Sequence, residues 1–324
     1  MRCKVWSVLA CTLVLALGLA ILPLPARAQT ITVDGNPNDW IFGFLPYNLN
    51  TGHVMRAPGS PAKGEYAWKD NAPGHTDGSA DERTDFVTGQ DTRVDLEQFR
   101  VTGDATNIYF LACMTDIPSG ATSGAGAPQV QVAVDTNQDG SGATIFMGNA
   151  NTDTHPNAGW ETLLMTRFGS GNSNVRTWAT PAGTPTDTGA AAISDVYDCI
   201  EFSVPWVQFG LAGVPTSKPL RLTVAIFRAD ASDNTQGIAG SSDALDAVTN
   251  YGTPCDTSNT LAEVSDGVVD YHFDLYFQAG NGEVMSPLLI TEVMGYPTND
   301  PDGEWIQIYN AWSSTLTLDD WKVG

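Results

Sequence analysis

The residues with the clearest capacity for chemistry are Asp135, Asn137 and Asp139, in the stretch "VQVAVDTNQDGSG" at 130–142. An alternating apolar run, Val130, Val132 and Val134, ends there in three side-chain oxygens spaced two residues apart, followed by Gly140. Calcium takes about 6–8 oxygens from carboxylates, amides and carbonyls, and D-x-N-x-D-G is the first half of an EF-hand loop. The second half is missing. The twelfth position from Asp135 is Phe146 rather than glutamate, and no helical pattern flanks the loop. Any further ligands must therefore come from elsewhere. A plain polar turn is the competing reading, since Asp, Asn and Gly favour turns for reasons of their own.

A second acidic run offers partners: Asp70, Asp77, Asp81, Glu82, Asp85 and Asp95. So many carboxylates in a turn-rich stretch repel one another unless a cation offsets them. The expectation is a structural calcium ion that draws the two acidic stretches together and pins loops. Activation of water is not expected of it. Glycoside hydrolysis needs paired carboxylates, but here they sit in turn-rich stretches without an apolar pocket to raise one pKa. The sequence contains no G-x-S-x-G, H-E-x-x-H or P-loop pattern, and His53, His75, His155 and His272 lack metal-ligand spacing. The chain reads as non-enzymatic.

The elements that must position these residues read as short strands. Runs at 107–114, 130–134, 161–168, 175–180, 199–206, 220–230 and 269–277 are rich in apolar alternation and bounded by turn residues, the pattern of an all-β sandwich. Only "DLEQF" (95–99) and "SDALDAV" (242–248) suggest a helical turn. Residues 29–286 fit one large sandwich domain. "QAGNGEVMSP" (278–287) reads as a connector, after which a new strand pattern runs through "LLITEVM" and "EWIQIYN".

The first 28 residues bear Arg2 and Lys4, an apolar run over 7–22 and an A-x-A arrangement at Ala26 and Ala28. That is a secretory signal peptide, and it places the chain outside the cell. No later run is long and apolar enough to span a bilayer. Without the leader, twelve basic residues face 37 acidic ones, a formal charge of −25, which repels phosphate backbones and excludes nucleic acid as a partner. Three cysteines remain beyond the leader: Cys113, Cys199 and Cys255. Cys113 lies in an apolar strand pattern and reads as a buried small hydrophobe. Cys199 with Cys255 is the expected pair.

"ITVDGNPNDW" (31–40), "IEFSVPWVQFG" (200–210) and "VDYHFDLYF" (269–277) resemble family-9-type carbohydrate-binding modules, and still more the C-terminal sandwich of glucodextranase-like and amylopullulanase-type proteins. "GEYAWKD" (64–70), "DERTDF" (81–86), "DLEQFRV" (95–101) and "SDALDAV" (242–248) extend the likeness. The resemblance implies a calcium-holding sandwich, with Asp70, Asp81, Asp85 and Asp95 as ligand candidates. It also implies sugar held against exposed tryptophans, for which Trp68, Trp160 and Trp178 are the candidates. Trp40 and Trp206 fall in the structural motifs and are expected in the core.

Residues 288–324 resemble the opening third of a lamin-tail domain, an immunoglobulin-like sandwich. Glu292, Glu304, Trp305, Asn310, Leu318 and Trp321 stand at its signature positions, and Gln307 stands where the family often has Glu. The expected architecture is all-β: a large jelly-roll-like sandwich over 29–286, then an incomplete lamin-tail-like sandwich over 287–324, whose remaining strands are expected either beyond residue 324 or from elsewhere. The function expected from these resemblances is secreted binding of carbohydrate or cell-surface glycan. The alternatives are a structural attachment protein of the cell exterior and the accessory region of a longer secreted hydrolase.

Overall fold

The computed structural model describes residues 31–43, 49–56, 64–69, 92–169, 171–238, 242–249, 266–294, 305–316 and 318. The signal peptide, Asp70, Asp77, Asp81, Glu82, Asp85, Cys255, Glu304 and Trp321 lie outside the described residues.

The chain is mostly strand. In order these are β1 (Leu49–Arg56), β2 (Gly64–Lys69), β3 (Leu96–Gly103), β4 (Asn107–Met114), β5 (Pro128–Asp135), β6 (Asp153–Thr154), β7 (Thr162–Arg167), β8 (Asn174–Trp178) and β9 (Thr186–Thr188). They continue with β10 (Ala190–Ser194), β11 (Cys199–Pro205), β12 (Leu220–Arg228), β13 (Asp246–Ala247), β14 (Val268–Val269), β15 (Phe273–Phe277), β16 (Val284–Met285), β17 (Leu288–Met294) and β18 (Trp305–Asn310). One sheet has the order β1-β2-β3-β4-β11-β10. A second has the order β16-β15-β12-β5-β7-β8-β9, with β13 added alongside β12. The two sheets face each other as an antiparallel sandwich.

Between them lies the main core. β2 gives Tyr66 and Trp68, β3 Phe99 and Val101, β4 Ile108 and Phe110, β11 Ile200, Phe202 and Val204. The opposite sheet gives Val130, Val132 and Val134 of β5, Leu222, Val224 and Ile226 of β12, and Phe273, Leu275 and Phe277 of β15. The alternation read at Tyr271, Phe273, Leu275 and Phe277 holds, for all four are buried. Register decides which side chains meet: Phe202 pairs with Phe110 across β11 and β4, and their rings stack with centroids 4.7 Å apart. Such a stack adds about 0.5–1.5 kcal/mol beyond area burial.

Each sheet is covered on its outer face as well. All eight residues of β5 are buried, because Ala133, Leu163, Met165, Ala225 and Phe227 meet a covering layer that holds Phe146, Trp160, Ala244 and Ala247. On the six-stranded sheet an N-terminal strap (31–43) packs Ile31 and Trp40 over Tyr109, Leu111, Cys113 and Cys199. Buried charge tethers it. The Glu201 carboxylate accepts hydrogen bonds from the backbone N–H of Asp34 (3.0 Å) and Gly35 (3.1 Å) and from Trp40 Nε1 (2.7 Å). Glu65 accepts the Ile41 N–H at 2.8 Å and pairs with Arg100, whose guanidinium also donates to the carbonyls of Ile41 and Gly43 and lies over the Trp40 ring.

Three local expectations change. Residues 95–99, read as a helical turn, begin β3; residues 242–248 are extended and carry β13. Neither has the length to hold a helix, and Asp246 joins the two by accepting the Leu96 N–H at 2.6 Å. Residues 278–287, read as a connector, contain β16, which belongs to the eight-stranded sheet. The third concerns the cysteines: Cys113 is bonded to Cys199. The register of β4 and β11 sets the two residues directly opposite each other, with Cα atoms 4.0 Å apart.

Candidate functional site

Where β5 leaves its sheet, Asp135 is buried, and its Oδ1 accepts the N–H groups of Asn137 (3.0 Å) and Gln138 (2.6 Å). Asn137 Oδ1 accepts the Asp139 N–H at 2.9 Å, and Asp139 Oδ1 accepts that of Ser141 at 2.9 Å. The spacing of two is thus used first to build consecutive turns, each side chain folding back on the backbone two residues on. The Ser141 hydroxyl and N–H hold the exposed Asp139 carboxyl below its usual pKa. Gln138, at φ +52°, and Gly140, at φ +73°, take the left-handed conformations that let the loop reverse.

The loop closes on a segment that carries no motif in the sequence. Ala143 and Trp160 exchange backbone hydrogen bonds of 2.9 and 2.7 Å at the loop's far end. At the near end Val134 pairs with Thr162 in the β5–β7 ladder, and the Glu161 N–H reaches the Val134 carbonyl at 3.2 Å. Gly142 lies against Gly159, where a Cβ on Gly142 would come within 2.3 Å of backbone atoms, so a side chain there would force the loop off its base. Glu161 is therefore at the loop's throat, between its two anchor points. Glu161 Oε2 accepts the Thr136 N–H (2.9 Å) and hydroxyl (3.2 Å). Asp135 Oδ2 and Glu161 Oε1 are both buried without a hydrogen-bond partner.

Two cations lie near. Arg221, opposite Asp135 in the β5–β12 register, is committed to Asp274 (2.8 and 3.1 Å) and to the Asn157 carbonyl (2.9 Å). Lys218 Nζ donates to the Asn137 carbonyl. His155 and His272 stack beside this region with ring centroids 5.7 Å apart. Each uses Nδ1 on its own loop backbone, and burial lowers the His272 pKa.

Of the second acidic stretch, Asp95 is described, and it does not join this loop. Asp95 Oδ2 accepts the Thr115 hydroxyl at 2.7 Å. The next residue, Leu96, is tied to Asp246, which pairs with Ile226, whereas Asp135 pairs with Arg221. Five residues along β12 span about 17 Å, so Asp95 and Asp135 stand at opposite ends of the sandwich. One ion cannot gather both. Among the described residues no three His, Cys, Asp or Glu side chains form a metal-holding group.

The tryptophans offered as sugar platforms are packing residues. Trp68, Trp160 and Trp178 are exposed by 2%, 1% and 4%. Trp68 Nε1 donates to the Thr249 carbonyl (2.7 Å) and Trp160 Nε1 to that of Ile145 (3.1 Å), while Arg176 lies 6.0 Å from the Trp178 ring centroid. A buried ring has no face for a sugar. Trp40 and Trp206 are buried, as expected.

Exposed aromatic surface is found instead on β17 and β18, which pair with each other as a two-stranded ribbon. Its base is fixed: Trp312 meets Tyr276 edge-on at 4.8 Å, and the hydroxyls of Ser313 and Ser314 donate to the Thr216 carbonyl at 3.0 Å. The ribbon itself projects. Trp305, Gln307 and Tyr309 share one face by alternation, and the register adds Glu292 opposite Gln307 and Leu289 opposite Tyr309. The other face holds Ile306 and Ile308 opposite Val293 and Ile290. Trp305 is 41% exposed and Tyr309 59%.

Among the described residues no helix is long and apolar enough to cross a membrane. Compared with known proteins, the chain matches no protein-family model and no curated protein.

Proposed function

We propose that this chain is an exported, non-catalytic binding protein that recognises carbohydrate or cell-surface glycan, with calcium holding its large sandwich in shape. The observation that carries the binding part is the aromatic face of the ribbon. Trp305 and Tyr309 are four residues apart, about 13 Å along the strand, with Gln307 between them and Glu292 beside it. Such rings present an apolar surface to the C–H faces of sugars, while a carboxamide and a carboxylate serve hydroxyl groups. The acidic balance of the chain favours neutral glycans over polyanionic ones. The likeness of residues 31–277 to carbohydrate-binding modules points the same way.

The test is retention of the chain on insoluble glucan and xylan, together with a glycan array. Retention is expected for the native chain and is lost in Trp305→Ala/Tyr309→Ala, with the melting temperature unchanged. A folded chain that binds no glycan removes this reading. The second reading, attachment through protein contact at the cell exterior, is favoured by the opposite face, where Ile290, Val293, Ile306 and Ile308 form an exposed aliphatic patch. Loss of attachment in Ile306→Ser/Ile308→Ser, with glycan binding absent throughout, would select it.

A further inference from the structure

We infer that the N-terminal strap (31–43) is a movable cover over the Cys113–Cys199 bond, latched by Glu201, and that its opening lets a soluble thiol or phosphine reach the sulfurs. Both cysteines are fully buried, and Ile31 and Trp40 of the strap pack on them together with Tyr109 and Leu111. Gly35 presses the strap onto β10, where a Cβ would come within 3.0 Å of the Ser194 side chain. Yet the strap belongs to neither sheet. Its backbone hydrogen bonds from Trp40 to Pro37 and from Gly43 to Trp40 are internal, and the Thr32 N–H closes it on Asp39 Oδ2 at 2.7 Å. It can therefore lift as a unit without breaking a ladder, a local opening that costs less than global unfolding.

The strap is held in two ways. At 41–43 the Ile41 N–H donates to Glu65, and the carbonyls of Ile41 and Gly43 accept from Arg100, within a buried ion pair whose charges offset each other. Residues 34–40 rest on Glu201, through the N–H groups of Asp34 and Gly35 and through Trp40 Nε1. The elements about Glu201 are mostly acidic. The strap brings Asp34 and Asp39, and the β10–β11 turn carries the exposed Asp195, Tyr197, and Asp198, which accepts the Ile117 N–H. Tyr109 of β4 is bonded to Asp104, and Arg100 of β3 is committed to Glu65. Loss of the Glu201 proton thus sets a second negative charge against Asp39 in a seat shielded from water, and the carboxylate regains water when the strap lifts. Burial, with the Asp39 charge adding to it, holds the folded pKa at about 7 against an ordinary 4.5. The seal from this group is therefore fully present below about 4.5 and is lost as pH rises through about 7.

The test is the rate at which a water-soluble phosphine reduces the bond in the full chain, with any free thiol alkylated beforehand. Phosphorus attacks one sulfur and the S–S bond breaks. Water then gives its oxygen to phosphorus, forming the phosphine oxide, and its two hydrogens to the sulfurs. The two new thiols are counted by a second alkylation and peptide mapping. Glu201→Gln is the reference, because a carboxamide does not titrate, and dividing the native rate by its rate at each pH removes the reagent's own pH dependence. That ratio should rise by about tenfold or more between about pH 5 and about pH 8. Trp40→Ala takes away both the ring over the bond and one donor to Glu201. It should be reduced about tenfold or more faster than the native chain at about pH 5. Denaturant too weak to unfold the chain should leave the native rate nearly unchanged. A ratio flat with pH, a folded Trp40→Ala chain reduced at the native rate, or a native rate that follows global stability through the denaturant series overturns the cover. If Trp40→Ala does not fold, as read by circular dichroism, the ratio and the denaturant series decide.

Discussion

The large sandwich and the β17–β18 ribbon are written in the same strand alphabet, yet they end in opposite states. β5 reads "PQVQVAVD" and is buried at every position; β18 reads "WIQIYN" and is exposed at every position. β18 is the more apolar of the two, so hydrophobicity does not explain the difference. Neighbours do. β5 has β12 and β7 at its edges, the six-stranded sheet on one face and the layer of Phe146 and Trp160 on the other. Among the described residues β18 has β17 at one edge, and its side chains are exposed on both faces. A strand's burial is a property of the layers around it, and an apolar strand without layers is a surface available for contact.

The comparison breaks most sharply under truncation of core against ribbon. Trp206 is buried against Phe277 at 5.1 Å and bonded through Nε1 to the Asp104 carbonyl. Its truncation, Trp206→Ala, should cost about 3–5 kcal/mol in denaturant melts. Ile308→Ala on the ribbon should stay within about 0.5 kcal/mol. Equal losses would mean that the ribbon is packed in solution.

Next in size is the crosslink under the strap. Cys113→Ala/Cys199→Ala removes the bond between residues 86 apart in sequence. It should lower stability by about 2–4 kcal/mol, read under non-reducing conditions. The ribbon lacks this tether, so the glycan retention proposed for it should be the same in that variant as in the native chain below the melting temperature. Loss of retention while the chain is still folded would show that the two regions depend on each other.

The third test is pH. Burial, more than any other influence, pushes the Glu201 carboxyl up to about 7, and the nearby Asp39 charge adds to the rise, against the opposing pull of its hydrogen-bond donors. Because the folded pKa lies above the unfolded value, the stability from this group is fully present below the unfolded pKa. It is lost as pH rises through about 7. The native chain should lose on the order of 3 kcal/mol from this source between about pH 4.5 and about pH 7.5. Glu201→Gln should flatten that part of the profile. A native profile that does not differ from the variant's would show that burial under the strap does not raise this carboxyl. The glycan retention proposed for the ribbon should be nearly indifferent to the same change.

Much of the strand map was legible. "NIYFLACM" is β4 residue for residue, and Tyr271 to Phe277 alternate as the pattern required. The helical turns expected at 95–99 and 242–248 failed because their extended state is held by a partner 150 residues away, Asp246 with Leu96. The tryptophans misled for a related reason. Polar, turn-rich flanks suggested exposure for Trp160, but its loop folds inward over the sheet and buries the ring against Phe146 and Phe227. Glu161 gave one faint signal, an acid at the head of an apolar strand pattern, too common to single out.

By itself, the order of residues determined the strand class, the alternation that faces the core and the turn at Asp135, because each depends on neighbours within a few positions. Tertiary structure alone decided the Cys113–Cys199 bond, the separation of Asp95 from Asp135, the hydrogen bonds of Thr136 to Glu161 and the exposure of Trp305. Those depend on register and layering between distant segments, where one residue of slip reverses which side chains meet.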